Sequence, residues 1–101
     1  MAPAPMAMRD VILLARAAAE FIPSGASITA IQPSQAPDYD VSLYLTAAGV
    51  MPRHRVVAPD FDASDATKLP QFVLAVRDPF TDPRYRLDRA LPEGRIYQVM
   101  H

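Results

Sequence analysis

Residues 39–46 alternate. Tyr39, Val41, Leu43 and Leu45 are apolar or aromatic, Asp40, Ser42 and Thr46 are polar, and Tyr44 is amphipathic. A period of two sets one row of side chains against a core and the other in water, so this stretch reads as the strand around which the chain is organised.

Upstream the period changes. Over residues 9–22 the positions Val11, Leu14, Ala15, Ala18 and Ile22 fall on one helical stripe, with Arg9, Arg16 and Glu20 opposite. Leu13 interrupts that polar side, and Ile12 and Ala19 widen the apolar arc beyond half the circumference. Asp10 suits a first helical turn. Pro23, Ser24 and Gly25 form the stop signal. The uncharged Pro/Ala stretch 1–8 is expected to be a flexible tail, which leaves 9–101 as a single domain.

Downstream the chain is cut into short pieces. Residues 27–32 are β-branched and predict a first strand, 33–37 a turn, and 53–58 a short strand after the organising one. Residues 59–70 form a polar connection with one helical turn capped by Asp62 or Ser64. Residues 71–77 are apolar on both faces, the mark of a central strand covered on both sides. Residues 78–83 hold two Asp-Pro turn starts. For the last segment, Asp82 and Pro83 could open a short helix. The alternation of Tyr85, Leu87, Arg89 and Leu91 favours a hairpin instead, turning at Leu91-Pro92-Glu93-Gly94 and returning over 95–100. The expected fold class is α+β: an N-terminal helix packed on an antiparallel β-meander of five to six short strands, with curling toward a partial barrel as the way to use up a spare sheet face.

Composition closes several functions. There is no cysteine, so disulfides, thiol nucleophiles and cysteine-bound metals are excluded. Eleven prolines against three glycines explain the short elements. The net charge of −1 supplies no global field for nucleic acid or anionic membrane. Nine of the ten basic residues are Arg, which together with abundant Ala suggests GC-rich, bacterial coding rather than selection for guanidinium chemistry. The apolar run 11–15 is bracketed by charges and far short of the about 20 residues of a span, so neither signal peptide nor membrane segment is expected, and the expected location is the cytoplasm.

Candidate chemistry is sparse. His54 lies between Arg53 and Arg55 with no local nucleophile or orienting carboxylate, and reads as a surface histidine; His101 reads as a chain end. Asp60, Asp62 and Ser64 match the first three ligand positions of a calcium loop, but Asp65 replaces the required Gly and Gln71 the required Glu, so they read as capping residues in a loop. The glycines are isolated turn glycines, and no serine has a nucleophile-elbow setting. No catalytic residue, cofactor or metal site is expected.

Arg77, Arg84, Arg86, Arg89 and Arg95, with Tyr85 and Tyr97 among them, could grip a nucleic-acid backbone. Asp78, Asp82, Asp88 and Glu93 nearly neutralise them, and cross-strand ion pairing is their ordinary use. The leading expectation is a small non-enzymatic module acting by protein–protein contact, with another protein or as a homodimer. Its surface is expected around Tyr44, Arg84, Arg86 and Tyr97 on the open sheet face. The alternatives are a ligand-binding protein or enzyme with a pocket between helix and sheet near Asp40 or His54, and a weak nucleic-acid binder using the Arg-rich hairpin.

Overall fold

The strand Phe72–Val76 has all five residues buried, which requires cover on both faces and a neighbour on both edges. A computed structural model, describing residues 4–36, 39–62 and 66–100, provides both. The elements run α1 (Ala4–Ala18), β1 (Ser27–Ile31), α2 (Leu43–Ala48), β2 (Arg55–Val56), a 3-10 turn (Ala66–Lys68), β3 (Phe72–Val76), β4 (Tyr85–Leu91) and β5 (Gly94–Val99). They build a five-stranded sheet in the order β2-β1-β3-β5-β4. The expected hairpin is β4–β5, with Tyr85 opposite Val99 and Leu91 opposite Gly94.

The α+β class holds, but the antiparallel meander does not. β1 pairs in parallel with both β2 and β3, and only β3–β5 and β4–β5 are antiparallel. Nor does the sheet curl into a barrel, since β2 and β4 remain as separate edges. Parallel neighbours cannot be joined by tight turns and need crossover connections, usually helical. The stretch 39–46 is that connection. Asp40 makes one isolated bridge to Ile31 and then the chain enters α2.

The local reason is visible in the side chains. Asp40 Oδ1 accepts the Ser42 N–H at 2.8 Å and the Ser42 hydroxyl at 2.5 Å, an Asx-type turn that bends the chain out of the extended state. At the other end Gly49 takes φ 62° and its N–H donates to the carbonyls of Leu45 and Thr46, a left-handed helix stop. Val41 and Leu45 are buried while Leu43 between them is 76% exposed. The true period is therefore i, i+4, which two residues of an alternating run also satisfy.

The helix α1 starts at Ala4 and its last turn loosens after Ala18, where Phe21 N–H bonds back to Ala18 in an i to i+3 step. All five stripe residues from Val11 to Ile22 are buried, packed with α2 on the face of the sheet carrying Ile28, Leu74, Val76 and Ile96. Each such large side chain contributes about 1.5–3 kcal/mol by leaving water.

Among the described residues, aromatic rings rather than an α-helix close the opposite face. Ile31, Val73, Ala75 and Val99 are roofed by Phe61, Phe80, Tyr85 and Tyr97. These rings meet at centroid separations of 5.0 to 5.9 Å, three of the four pairs edge-on. Such pairs contribute about 0.5–1.5 kcal/mol each beyond their burial. Arg77 turns the chain into this roof. It sits at φ 68°, and Asp78 N–H donates to Val76 O at 2.8 Å, closing a three-residue γ-turn at the end of β3. The Glu93 carbonyl on Arg77 N–H and the Asp10 carboxylate on its Nε at 2.6 Å hold that conformation.

Candidate interaction face

β4 is a sheet edge with β5 as its sole neighbour in the sheet, and Arg86, Leu87, Asp88, Arg89 and Ala90 are all exposed. Its ladder to β5 shifts between Leu87 and Arg89, so Asp88 is the extra residue of a β-bulge without a partner in β5. The bulge reorients the second half of the strand: Leu87 pairs with Tyr97 on the aromatic side, whereas Arg89 pairs with Ile96 on the α1 side.

There Arg89 lies over the Phe21 ring, its guanidinium carbon 3.7 Å from the centroid. Phe21 faces outward because Ile22, its neighbour, is drawn into the core. It stays 42% exposed in the turn that follows α1, while Leu13 of α1, 37% exposed, lines a cleft with Pro92 and Glu93. Leu87 is 53% exposed. An unpaired strand edge thus runs beside the stacked pair Phe21 and Arg89. A stacked guanidinium–aromatic pair contributes about 0.5–1 kcal/mol at an exposed site.

Of the residues expected from the sequence, Arg84, Arg86 and Tyr97 do not share one open surface. Arg86 stands on the β4 edge, reaching Gln98 Oε1 at 3.4 Å. Tyr44 belongs to α2, away from the hairpin in the chain. Tyr97 is only 8% exposed, and its hydroxyl accepts the Phe80 N–H at 3.1 Å. Arg84 clasps Asp82 through Nε and Nη2 at 3.0 and 2.7 Å, and donates to the Phe61 carbonyl at 2.6 Å. Both are therefore tied into the aromatic roof rather than an open face. The sequence reasoning missed Phe21, Leu87 and Arg89. The signal for the first was the excess width of the helix arc, with Leu13 on its polar side.

The Arg84 clasp gives a pH expectation. Its hydrogen bond holds the Asp82 carboxyl below its ordinary value of 3.8, against an opposing push from burial. A carboxyl whose folded value is depressed stabilises fully above the unfolded value, and that contribution disappears as pH falls through the folded one. Melting temperature should therefore fall on acidification from about pH 5 to about pH 2, and Asp82→Asn should flatten part of that limb. An identical acid limb in the variant would show that the clasp carries no linkage. Burial likewise raises Tyr85, whose hydroxyl donates to the Pro70 carbonyl at 2.5 Å, so it stays protonated under ordinary conditions.

Three clefts offer other chemistry. One of 340 Å³ beside α2 is lined by Thr46, Met51, Pro52 and His54. His54 is not the plain surface histidine expected: its Nε2–H donates to the Ile22 carbonyl at 2.7 Å, and its Nδ1 is buried without a partner. Asp40, the other residue expected at a pocket, is bound to Ser42 and does not line it. A second cleft collects Arg9, Asp10, Arg77 and Glu93, whose charges offset, and a third Ser27, Arg55, Asp60 and Lys68, where two cations face one carboxylate.

Among the described residues no group of three or more His, Asp or Glu could hold a metal ion. Asp60 Oδ1 accepts the Asp62 N–H at 3.2 Å, a local contact within the loop rather than a cap on the Ala66–Lys68 turn. Ser64, Asp65 and His101 lie outside the described residues. No described helix is long and apolar enough to cross a membrane. Compared with known proteins, the chain matches no family model, no curated protein and no solved structure.

Proposed function

We propose that this chain is a small non-enzymatic interaction module that binds protein through the β4 edge and the adjoining turn after α1 that carries Phe21. The observation that carries the reading is the exposed Phe21–Arg89 stack beside an unpaired strand edge. Aromatic and arginine side chains lead among interface hot spots, and an open strand edge offers a row of backbone donors and acceptors. Of the surface expected from the sequence, Arg86 remains part of this face.

Native mass spectrometry of the chain gently isolated from its cells tests the reading. The expected mass exceeds that of one chain, and the excess is lost when Phe21→Ala and Arg89→Ala are introduced together. Each hot-spot truncation should weaken binding by on the order of 2 kcal/mol, roughly thirtyfold in Kd. Folding should be changed little, since both side chains are exposed. A bare single chain, or an excess mass that survives the double variant, contradicts the proposal.

A second reading is favoured by one observation, the unpartnered His54 Nδ1 beside the 340 Å³ cleft. It makes the chain a small-ligand binder, and an adduct of a few hundred daltons in the same spectrum would support it. Nucleic-acid binding by the hairpin has less support. Arg84 is clasped to Asp82, and Arg95 donates to the Arg77 carbonyl at 2.9 Å.

A further inference from the structure

We infer that the partner taken by the β4 edge is a second copy of this chain, paired antiparallel through β4 in the register that sets Leu87 opposite Leu87. The inference rests on the reading of this edge as a binding surface and specifies its occupant.

The backbone fixes which residues can pair. Met100 N–H donates to the Arg84 carbonyl, so Arg84 turns its carbonyl toward β5. In an antiparallel ladder these directions alternate, which turns the backbone groups of Arg86 toward β5 and those of Tyr85 and Leu87 outward. Tyr85 N–H is already used by the Asp82 carbonyl at 3.0 Å. Leu87 is thus the central residue of the edge with its outward groups available, and two copies related by a twofold axis there can exchange N–H and C=O.

The side chains select the same register. With Leu87 on the axis, Arg86 of each copy faces Asp88 of the other, so symmetry makes two ion pairs from one sequence triplet. Asp88 is suited to this, being the bulge residue without a partner in β5 and in no ion pair among the described residues. Moving the axis by one residue either way sets Asp88 against Asp88 or Arg86 against Arg86, and like charges directly opposed are destabilising. Charges and bulges on an edge strand ordinarily prevent indiscriminate pairing. Here the Arg-Leu-Asp order rejects every neighbouring register and matches one. The two exposed Leu87 side chains then meet on the aromatic side, removing apolar surface that the single chain leaves in water.

Analytical ultracentrifugation of the purified chain over a concentration series is the test, with four proteins. The wild type should show a monomer–dimer equilibrium. Arg86→Asp and Asp88→Arg should each weaken it at least about tenfold, because each places two like-charge pairs across the axis. The double variant Arg86→Asp/Asp88→Arg should restore association. So should an equimolar mixture of the two single variants, in which every cross-strand pair is again opposite in sign. Unchanged thermal melting of the dilute singles confirms that they fold; if one does not, the double variant still decides the register. A dimer insensitive to the single reversals, or weakened by them and not restored by the double, overturns the pairing. A wild type that stays monomeric throughout overturns the self-association. If a different protein then accompanies the chain in native mass spectra and is lost with Phe21→Ala and Arg89→Ala, the interaction-module reading stands without it.

Discussion

Gly94→Ala is expected to destabilise the fold by about 3 kcal/mol or more, lowering the melting temperature by roughly 12–24 °C. Gly94 opens β5 and sits opposite Val76 across the ladder. A methyl group there would run into the Ala75 carbonyl oxygen, far inside van der Waals contact, and stand 3.0 Å from the Arg77 nitrogen. Both are backbone atoms at the end of the central strand, so no side-chain rotation relieves the clash. The strands must part, and the ladder that seats the γ-turn at Arg77 parts with them. Gly25→Ala is the contrast. Gly25 has φ 87° and open space around its Cβ position, so the cost is that of a left-handed conformation alone, about 1–2 kcal/mol. Chemical denaturation of both variants checks the difference. A loss below about 1 kcal/mol at Gly94 would show that the backbones are not in this contact.

Leu74→Ala should cost about 3–5 kcal/mol, toward the upper end for a buried leucine. Leu74 is fully buried on β3, registered against Ala30 on one side and Ile96 on the other, under α1. Strands on both edges and layers on both faces prevent the cavity from collapsing, and unrelaxed cavities are the expensive ones. Leu43→Ala should change stability by less than about 0.5 kcal/mol, because Leu43 projects from α2 into water. If residues 39–46 were a core strand, the two leucines would behave alike. Against a total stability of about 5–15 kcal/mol, the Leu74 variant should be partly unfolded near physiological temperature.

Those two leucines also mark where sequence reading succeeds. The β3 stretch is apolar at every position, and only a doubly covered strand accommodates that, so its central place could be read directly. The hairpin came from alternation plus a Pro-Glu turn with Gly after it. Helix α1 came from a stripe whose helical members Val11, Leu14, Ala15 and Ala18 are all buried, but its ends did not: it runs Ala4–Ala18 rather than 9–22, with Ile22 buried beyond it. In each, the signal was long or had one interpretation. Residues 39–46 had two, since Val41 and Leu45 fit both a strand and an i, i+4 helix face. What decided between them was nonlocal: β1 pairs in parallel with β2, and the chain between needs a crossover. No local pattern carries that information.

The site was less legible for a related reason. Tyr97 and Arg84 are chemically suited to recognition, but the roof over the second face employs them, and its existence depends on Phe61 and Phe80 arriving from two separate loops. Sequence suggested a spare sheet face, and among the described residues Phe61 and Phe80 pack onto it. The exposed edge instead comes from strand order, which sets β4 on the outside, and from a bulge that aims Arg89 at Phe21. Of the expected surface, Arg86 was placed by alternation alone, and alternation holds up to the bulge.

Amide hydrogen exchange, compared between the dilute single chain and its complex, shows whether β4 is the contact edge. Slowed exchange is expected at Leu87 and its neighbours in β4, with protection extending to the Phe21 turn and little change around His54 and Met51. Protection confined to α2 and the His54 cleft, with β4 exchanging as fast as in the isolated chain, would contradict it.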